Sequence, residues 1–415
     1  RALHDALGKQ NLEIVDRAIK YMAEGDAESL GKLMTEAEAL FDEKVAPMSS
    51  ALWSPKLHAV LQDPKIQPLI WGGKGVGSHG DGSVQFLAKT EEAQQQVADY
   101  LNEQGMKAYT LTLKPVHTVR RAIVPVAGFG TRLYPSTRVI KKDFFPIPCP
   151  DGMVRPVILI LLEELVQSGI EEICLVLGSE EERQQYAEFF EHPLSDDHLR
   201  KLNPEAQEYE NHILDIGKKL HYVYQREKRG FGHAVYQAAQ FAGNEPVLLL
   251  LGDTLYRSDT NKPCALQMIE DYERYNRLMV SIHPIPLAEV SRYGILHGVW
   301  EDNDHSILNV SSMVEKPKAS YAEEYLAVRN KKGEKEYYSV FGQYILTPEV
   351  FSQLHEDIMQ KEIDGDHQTE IELTSALETV RKRSGMVGVR LRGRMFDMGN
   401  PVALTNAITE FAKPQ

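Results

Sequence analysis

The segment 122–147 contains the residues whose types and spacing are best suited to chemistry. An apolar run rich in β-branched residues, 122–126, leads into the turn Gly128-Phe129-Gly130-Thr131-Arg132. A buried strand that ends in a tight glycine turn allows bare backbone N–H groups to approach a phosphate. Arg132 adds a planar fork of donors, and Lys142, ten residues later, adds a point charge. These features predict a site for the triphosphate of a nucleotide.

An aspartate further along the chain could bind a metal ion. Asp253 follows the apolar run 247–251, where a carboxylate can hold a Mg²⁺ that also contacts phosphate oxygens. An aspartate in that place could equally cap the next turn. A second aspartate, Asp397, lies in the string Phe396-Asp397-Met398-Gly399-Asn400, where it could form a turn.

Two further strings carry polar or charged side chains. Gln225 can offer both a donor and an acceptor to the edge of a base. Glu315 and Lys316 directly precede Pro317. In isolation this Glu-Lys-Pro string would be interpreted as an exposed charged turn.

From about residue 119 the chain alternates predicted strands and helices. Strands are expected at 122–126, 173–177, 220–225 and 247–251, and helices at 155–168, 181–190 and 232–242. Such alternation implies an α/β fold of parallel strands joined by right-handed crossovers. In open sheets of this kind, ligands bind at the C-terminal ends of the strands, where these candidate residues fall.

The order of these motifs resembles that of the sugar-1-phosphate nucleotidyltransferases. The G-x-G-T-R turn is followed by Pro135 and Lys142, then by Gly230-Phe231-Gly232-His233-Ala234-Val235, and later by Val314-Glu315-Lys316-Pro317. The resemblance is strongest to the bacterial UTP–glucose-1-phosphate uridylyltransferases and covers about residues 119–413. It implies a mostly parallel, Rossmann-like nucleotidyltransferase sheet with helices on both faces. It also implies that UTP and a sugar 1-phosphate, expected to be glucose 1-phosphate, give a UDP-sugar and pyrophosphate.

The resemblance implies a role for each candidate residue. Arg132 and Lys142 would be catalytic, and Asp253 and Asp397 would bind the expected cofactor, Mg²⁺. The nucleotide-binding residues would be Ala127, Gly128, Gly130, Thr131, Gln225 and Gly230, and the sugar-phosphate-binding residues Gly294, Glu315 and Lys316. His233 is interpreted as a residue of the helix start that packs under the nucleotide.

Some positions depart from the family pattern. The family usually has Pro-Lys before an acid, whereas this chain has Lys141-Lys142-Asp143, so that Lys142 keeps its place and Lys141 is extra. Gln343 stands where the family has Arg or Lys, and residues 364–366 add length. These differences leave nucleotidyl transfer unaffected but weaken the assignment of glucose.

Two alternative functions follow. The first is the same chemistry on a different sugar 1-phosphate. The second is an inactive regulatory module built on a nucleotidyltransferase-like fold, since a fold alone does not secure activity. The presence of Arg132, Lys142, Asp253 and Lys316 together argues against the inactive module.

Residues 1–117 are predicted to form a small α+β domain, separate from the nucleotidyltransferase domain at 118–415. Helices are expected at 11–24, 28–44, 55–61 and 91–104, strands at 84–88 and 108–113, and a glycine-rich loop at 72–83. The strings at 33–41 and 54–57 and the glycine loop resemble the C-terminal domain of the galactokinase–homoserine kinase–mevalonate kinase (GHMP) superfamily. The ATP-binding motif of that superfamily is not found, so the segment is an incomplete kinase. We expect an upstream kinase half, outside this sequence, that supplies the sugar 1-phosphate.

Composition narrows the class of protein. A chain of 415 residues suggests two or three domains, and its 42% hydrophobic and 26% charged residues are typical of a globular protein. The net charge of −14 argues against a nucleic-acid partner, and the apolar runs are too short to span a membrane. The three cysteines have no metal-ligand or disulfide pattern, which favours the reducing cytoplasm. The sequence is compatible with a homo-oligomer.

Overall fold

The computed structural model describes residues 6–76, 81–111, 118–128 and 130–413. The chain divides into two compact units, Arg1–Lys114 and Pro115–Gln415. The boundary predicted between residues 117 and 118 adjoins residues 112–117, which lie outside the described residues, as do residues 77–80 of the glycine-rich loop and Phe129 of the glycine turn.

Over its described residues, the first unit has four α-helices and a two-stranded antiparallel sheet. The helices are α1 (Asn11–Glu24), α2 (Ala27–Lys44), α3 (Pro55–Leu61) and α4 (Glu91–Glu103), and the strands are β1 (Ile70–Val76) and β2 (Ser83–Ala88). A short π-helix, Ala6–Gln10, precedes α1. Helix α2 approaches β1 so closely that a Cβ on Gly72 would lie 1.8 Å from the carbonyl oxygen of Gly31. Gly72 is therefore required for packing, and residues 72–76, predicted as part of a glycine-rich loop, belong to strand β1.

Polar contacts join three elements of the first unit. His58 Nε2 lies 2.8 Å from Asp42 Oδ2 and 3.8 Å from Glu38 Oε1, and Gly75 donates its N–H to Glu38 Oε2 at 2.7 Å. The strand predicted at 108–113 is wrong for its described residues, because 108–111 form no strand. Tyr109 and Leu111 are largely exposed, so no buried face stabilises an extended segment there.

The second unit contains the remaining helices and strands. Its strands are β3 (Arg121–Pro125), β4 (Pro146–Pro148), β5 (Val154–Pro156), β6 (Glu172–Leu177), β7 (Leu220–Tyr224), β8 (Val247–Leu250), β9 (Thr254–Ser258), β10 (Leu278–Ile285), β11 (Gly294–Trp300), β12 (Ile307–Glu315), β13 (Val328–Arg329), β14 (Lys335–Leu346), β15 (Met386–Arg390) and β16 (Gly393–Asp397). Its α-helices are α5 (Val157–Gln167), α6 (Glu180–Phe190), α7 (Asp196–Leu199), α8 (Pro204–Gly217), α9 (Phe231–Tyr236), α10 (Ala239–Ala242), α11 (Cys264–Tyr275), α12 (Ala319–Tyr321), α13 (Pro348–Ile363), α14 (Leu373–Ser384) and α15 (Pro401–Phe411). The helix predicted at 232–242 is therefore two short helices, α9 and α10.

A ten-stranded sheet forms the centre of this unit, in the order β10-β15-β12-β11-β14-β8-β3-β6-β7 with β13 beside β14. Strands β8, β3, β6 and β7 are parallel to one another, which confirms the predicted α/β class. In the other part of the sheet only β10 and β15 pair in parallel, so parallel pairing extends less far than the expected mostly parallel sheet. The physical reason is connection length. Residues 301–306 join β11 to β12 and are too few for a crossover, so this pair must be antiparallel.

The core lies on both faces of the parallel strands. Along β8, Leu248 and Leu250 pack into one hydrophobic cluster while Val247 and Leu249 pack into another, and all four are fully buried. Successive side chains of a strand point to opposite faces, so helices must cover both sides of the sheet. No helix among the described residues combines the length and apolar character needed to cross a membrane. The C-terminal edge of the parallel strands is left for polar residues.

Candidate active site

The predicted glycine turn follows β3 directly. Gly130 has a φ of +61°, a left-handed conformation that favours glycine. The side chain of Lys142 lies along this turn. A Cβ placed on Gly128 would be 3.4 Å from Lys142 Nζ, and one placed on Gly130 would be 3.6 Å from Lys142 Cβ and Cδ. The chain after the turn therefore folds back, so that Lys142 lies beside Gly128 and Gly130.

Lys142 contacts the carboxylate that follows β8. Its Nζ lies 2.7 Å from Asp253 Oδ2, and the two side chains are 14% and 25% exposed. Gly252 permits this approach, because a Cβ at that position would lie 2.6 Å from the carbonyl oxygen of Pro125 at the end of β3. The ends of the two parallel strands therefore bring the predicted cation and the predicted metal ligand together.

Arg132 and Asp397 meet at Gly399 beside this pair. A Cβ on Gly399 would lie 3.0 Å from Arg132 Nη2 and 2.8 Å from Asp397 Oδ1. Asp397 Oδ1 accepts a hydrogen bond from Gly399 N at 2.6 Å. The backbone of Met398 donates to the carbonyl oxygen of Asp253 at 2.8 Å, and Asp397 is the strand partner of the residue after Asp253. The structure thus gathers Arg132, Lys142, Asp253 and Asp397 at one place.

Gln225 forms a hydrogen bond within the loop that is expected to bind the base. Gln225 is buried, and its Nε2 donates to the carbonyl oxygen of Gly230 at 2.9 Å. Gly230 has a φ of +95° and borders Ile371, whose carbonyl oxygen would be 2.9 Å from a Cβ on Gly230. His233 Nδ1 lies 3.3 Å from Gln225 Nε2, and burial lowers the pKa of His233. A neutral ring beside Gln225 agrees with a packing role for this histidine.

The residues expected to bind the sugar phosphate lie at the ends of β11 and β12. Gly294 pairs with Glu315 across these strands, and a Cβ on Gly294 would lie 3.0 Å from Glu315 Oε2. Thr374 donates its hydroxyl to Glu315 Oε2 at 3.1 Å. Lys316 Nζ lies 3.4 Å from Glu315 Oε1, and the Lys316 side chain is 61% exposed. Lys316 therefore presents a cation that a phosphate could reach.

Two contacts connect these groups of residues. Lys228, in the loop that carries Gln225, donates to the carbonyl oxygen of Ala127 at 2.9 Å. On the other side, the segment 370–374 contacts Gly230 through Ile371 and Glu315 through Thr374. A continuous series of contacts thus runs from the glycine turn, through the base loop, to Glu315 and Lys316. Thr131, also predicted to bind the nucleotide, begins the single 3₁₀ turn that carries Arg132.

Gln343, which departs from the family pattern, points into the interior. It is fully buried, and its Nε2 donates to Glu164 Oε1 at 3.2 Å. Glu164 Oε1 also accepts the N–H of Ala265 at 3.0 Å, and burial raises the pKa of Glu164 to about 7. An amide at position 343 is therefore paired with a carboxyl group whose burial favours the neutral form.

Comparison with known proteins agrees with this geometry. The nucleotidyl transferase family model matches residues 121–413. The UTP–glucose-1-phosphate uridylyltransferase of Streptococcus pneumoniae is 31% identical over 296 residues, which is 71% of this chain and 90% of that protein. The same-named enzyme of Bacillus subtilis is 31% identical over 298 residues, 71% of this chain and 91% of that protein.

Solved structures lead to the same family. A UDP-glucose pyrophosphorylase in complex with UDP-glucose superposes with a TM-score of 0.55 and 27% identity, covering 71% of this chain and 98% of that one. An apo UDP-glucose pyrophosphorylase gives a TM-score of 0.58 at the same identity and coverage. These matches confirm the resemblance found in residues 119–413. The chain belongs to the nucleotidyl transferase family.

Proposed function

We propose that this chain transfers the uridylyl group of UTP to a sugar 1-phosphate, with glucose 1-phosphate as the expected acceptor. The products are a UDP-sugar and pyrophosphate. The observation that carries the proposal is the contact of Lys142 with Asp253 at the glycine turn, with Arg132 and Asp397 beside it. The names of the relatives, which are uridylyltransferases acting with UTP and glucose 1-phosphate, support the choice of substrates.

The chemistry requires no general base from the protein. A phosphate monoester has a second pKa of about 6, so it is largely dianionic near neutral pH and can act as the nucleophile itself. One of its oxygens forms a bond to the α-phosphorus of UTP, and the bond from that phosphorus to the bridging oxygen of pyrophosphate breaks. His233 is not required as a base in this direct in-line displacement, and its Nδ1 lies 3.3 Å from the buried Gln225 Nε2.

The protein must reduce repulsion between two polyanions and stabilise the charge on the leaving pyrophosphate. Lys142 and Arg132 lie at the glycine turn, where they would contact the triphosphate and neutralise the departing group. Lys316 would align the phosphate of the sugar phosphate, while Glu315 accepts hydrogen bonds from sugar hydroxyls. Positioning and electrostatic stabilisation together account for the catalysis.

The residues present fit a magnesium ion. Asp253, in the turn before β9, and Asp397, the last residue of β16, both offer carboxylate oxygens, and Met398 N donates a hydrogen bond to the carbonyl oxygen of Asp253. Mg²⁺ prefers oxygen ligands and usually binds through one or two carboxylates together with substrate phosphates. When bound, Mg²⁺ would supply positive charge to the phosphate oxygens. Lys142 holds Asp253 Oδ2 at 2.7 Å and so keeps this carboxylate at the turn.

A substrate panel tests the proposal. The full chain is incubated with Mg²⁺, UTP and each of several sugar 1-phosphates, including those of glucose, galactose and glucuronic acid, and pyrophosphate release is measured. We expect release that requires both UTP and a sugar 1-phosphate, with glucose 1-phosphate as the best acceptor. TTP and GTP serve as nucleotide controls, and a chelator should stop the reaction. Absence of pyrophosphate release with every acceptor would refute the proposed function.

A further inference from the structure

Three charged side chains lie together behind the glycine turn, and none of them was assigned a role above. They are Lys141, Glu182 and Lys228, which we name the turn clamp. Lys141 precedes the proposed catalytic lysine, Glu182 lies in the first turn of α6, and Lys228 lies in the loop of Gln225. They come from three segments that are distant in sequence, and their meeting is a consequence of the fold.

The two lysines of the turn clamp hold consecutive carbonyl groups immediately before Gly128. Lys141 Nζ donates to the carbonyl oxygen of Val126 at 3.2 Å, and Lys228 Nζ donates to that of Ala127 at 2.9 Å. In a trans peptide the C=O and the following N–H point in opposite directions. Fixing the Val126 carbonyl therefore fixes the direction of the Ala127 N–H. Fixing the Ala127 carbonyl does the same for the N–H of Gly128.

Glu182 supplies the opposite charge that allows two ammonium groups to lie so close to the turn. Its Oε2 lies 2.7 Å from Lys141 Nζ and accepts the N–H of Gly178, the residue after β6, at 2.9 Å. A Cβ placed on Gly178 would lie 2.6 Å from Glu182 Oε1 and 2.7 Å from Lys228 Nζ. The carboxylate is thus adjacent to both cations. The Lys141 side chain is only 15% exposed, so an unpaired charge there would be costly.

Three of the segments tied by the turn clamp carry or adjoin residues of the proposed site. The turn itself carries Gly128 and Gly130, Lys141 adjoins Lys142, and Lys228 lies between Gln225 and Gly230. We propose that Lys141, Glu182 and Lys228 are positioning residues that preorganise the backbone N–H groups of the turn for UTP. This inference rests on the proposed function for its ligand. Because the groups are ordered before binding, their loss should weaken nucleotide affinity more than turnover.

The test compares variants of the full chain that remove one partner at a time. Lys228→Met and Lys141→Met remove an ammonium group but keep most of the apolar stem. Glu182→Gln removes the charge but keeps an acceptor for Gly178 N. Lys228→Arg keeps the charge. Lys218→Met is the matched control, because Lys218 pairs with Asp215 in an exposed i,i+3 pair on another helix.

Two quantities are measured for every variant: the Kd of UTP by calorimetry, and kcat with the KM of each substrate. We expect Lys228→Met and Glu182→Gln to raise the Kd and KM of UTP about tenfold, the effect of losing one charge-assisted hydrogen bond. The kcat and the KM of the sugar 1-phosphate should stay within about twofold of wild type, and Lys228→Arg should recover most of the UTP affinity. Lys218→Met should match wild type.

Unchanged UTP affinity in folded Lys228→Met and Glu182→Gln would overturn the inference, as would a fall in kcat at constant KM. If Lys141→Met fails to fold, Glu182→Gln still tests the inference, because its amide oxygen can accept the N–H of Gly178 as the carboxylate does. The two proposals fail in different ways. A wild-type chain that binds UTP but releases no pyrophosphate with any acceptor would refute the proposed function. The UTP affinities of the variants would still test the role of the turn clamp.

Discussion

Replacing Lys142 with methionine is the most informative perturbation of the proposed site. Lys142→Met removes the ammonium group that lies 2.7 Å from Asp253 Oδ2 and keeps a side chain that can pack along Gly128 and Gly130. The change should therefore remove a charge without opening a cavity. The effect of the substitution on catalysis can be separated from its effect on folding. Catalysis depends on the proposed contact of the ammonium group with the triphosphate, whereas folding stability depends on its contact with Asp253.

The expected loss of activity follows from the role of a preorganised cation. Removing one donor aimed at developing charge typically costs about 2.7–4 kcal/mol, which corresponds to a fall in kcat of about 10²- to 10³-fold. The cost in folding free energy should be smaller, below about 2 kcal/mol, because the Asp253 side chain is 25% exposed and water can replace part of the lost contact. Turnover should thus collapse in a protein that remains folded.

The assay is steady-state pyrophosphate release with saturating UTP and glucose 1-phosphate, together with urea unfolding of the same samples. Lys218→Met provides the control, since it removes a lysine from an exposed ion pair in the same unit. A kcat of Lys142→Met within threefold of wild type would show that the Lys142–Asp253 contact has no catalytic role. A large loss of folding stability would show instead that the pair is mainly structural.

Three further outcomes are expected. Gly399→Ala places a methyl group 3.0 Å from Arg132 Nη2. We expect kcat to fall about tenfold, while the Tm stays within a few degrees of wild type. An unchanged kcat would show that Arg132 has no role in the reaction. Gly230→Ala forces an alanine to adopt a backbone φ of +95°, which costs about 1–3 kcal/mol. Urea unfolding should therefore show a loss of folding stability of that size, and UTP binding should be weaker. Wild-type stability of this variant would contradict the prediction. The pKa of Glu164 is raised to about 7 from its usual 4.5, so the folded state holds the proton more tightly than the unfolded state. The stability that Glu164 contributes is therefore complete below pH 4.5 and is lost as the pH rises towards 7, and Glu164→Gln should flatten this part of the stability profile; an identical profile would refute the assignment.

Much of the candidate site could be predicted because its determinants are local. A glycine turn after an apolar strand and an aspartate after another can each be recognised within a few residues, whereas the Glu-Lys pair before proline was assigned a role only through the resemblance. Parallel strands then place their C-terminal ends together, which brings Lys142 to Asp253 although 111 residues separate them. Arg132 was expected from its place in the glycine turn and Asp397 from the resemblance, and atoms of both side chains lie within 3.0 Å of a Cβ placed on Gly399.

Other features depend on contacts that sequence spacing does not specify. Lys228 reaches Ala127 across 101 residues and Lys141 reaches Glu182 across 41, and no local pattern indicates that these partners will meet. The antiparallel part of the sheet depends on short connections between strands whose pairing was not predicted. The interpretation of residues 1–117 as an incomplete kinase stays a prediction. The nucleotidyl transferase family model begins at Arg121 and does not include these residues.

The proposed chemistry depends most on where the phosphates of the nucleotide bind. A crystal structure of the full chain with UTP and Mg²⁺ would measure this directly. We expect phosphate oxygens within hydrogen-bonding distance of Lys142 Nζ and the Arg132 guanidinium, with the ion between those oxygens and the carboxylates of Asp253 and Asp397. A nucleotide bound elsewhere, with Lys142 still paired only to Asp253, would contradict the proposed reaction.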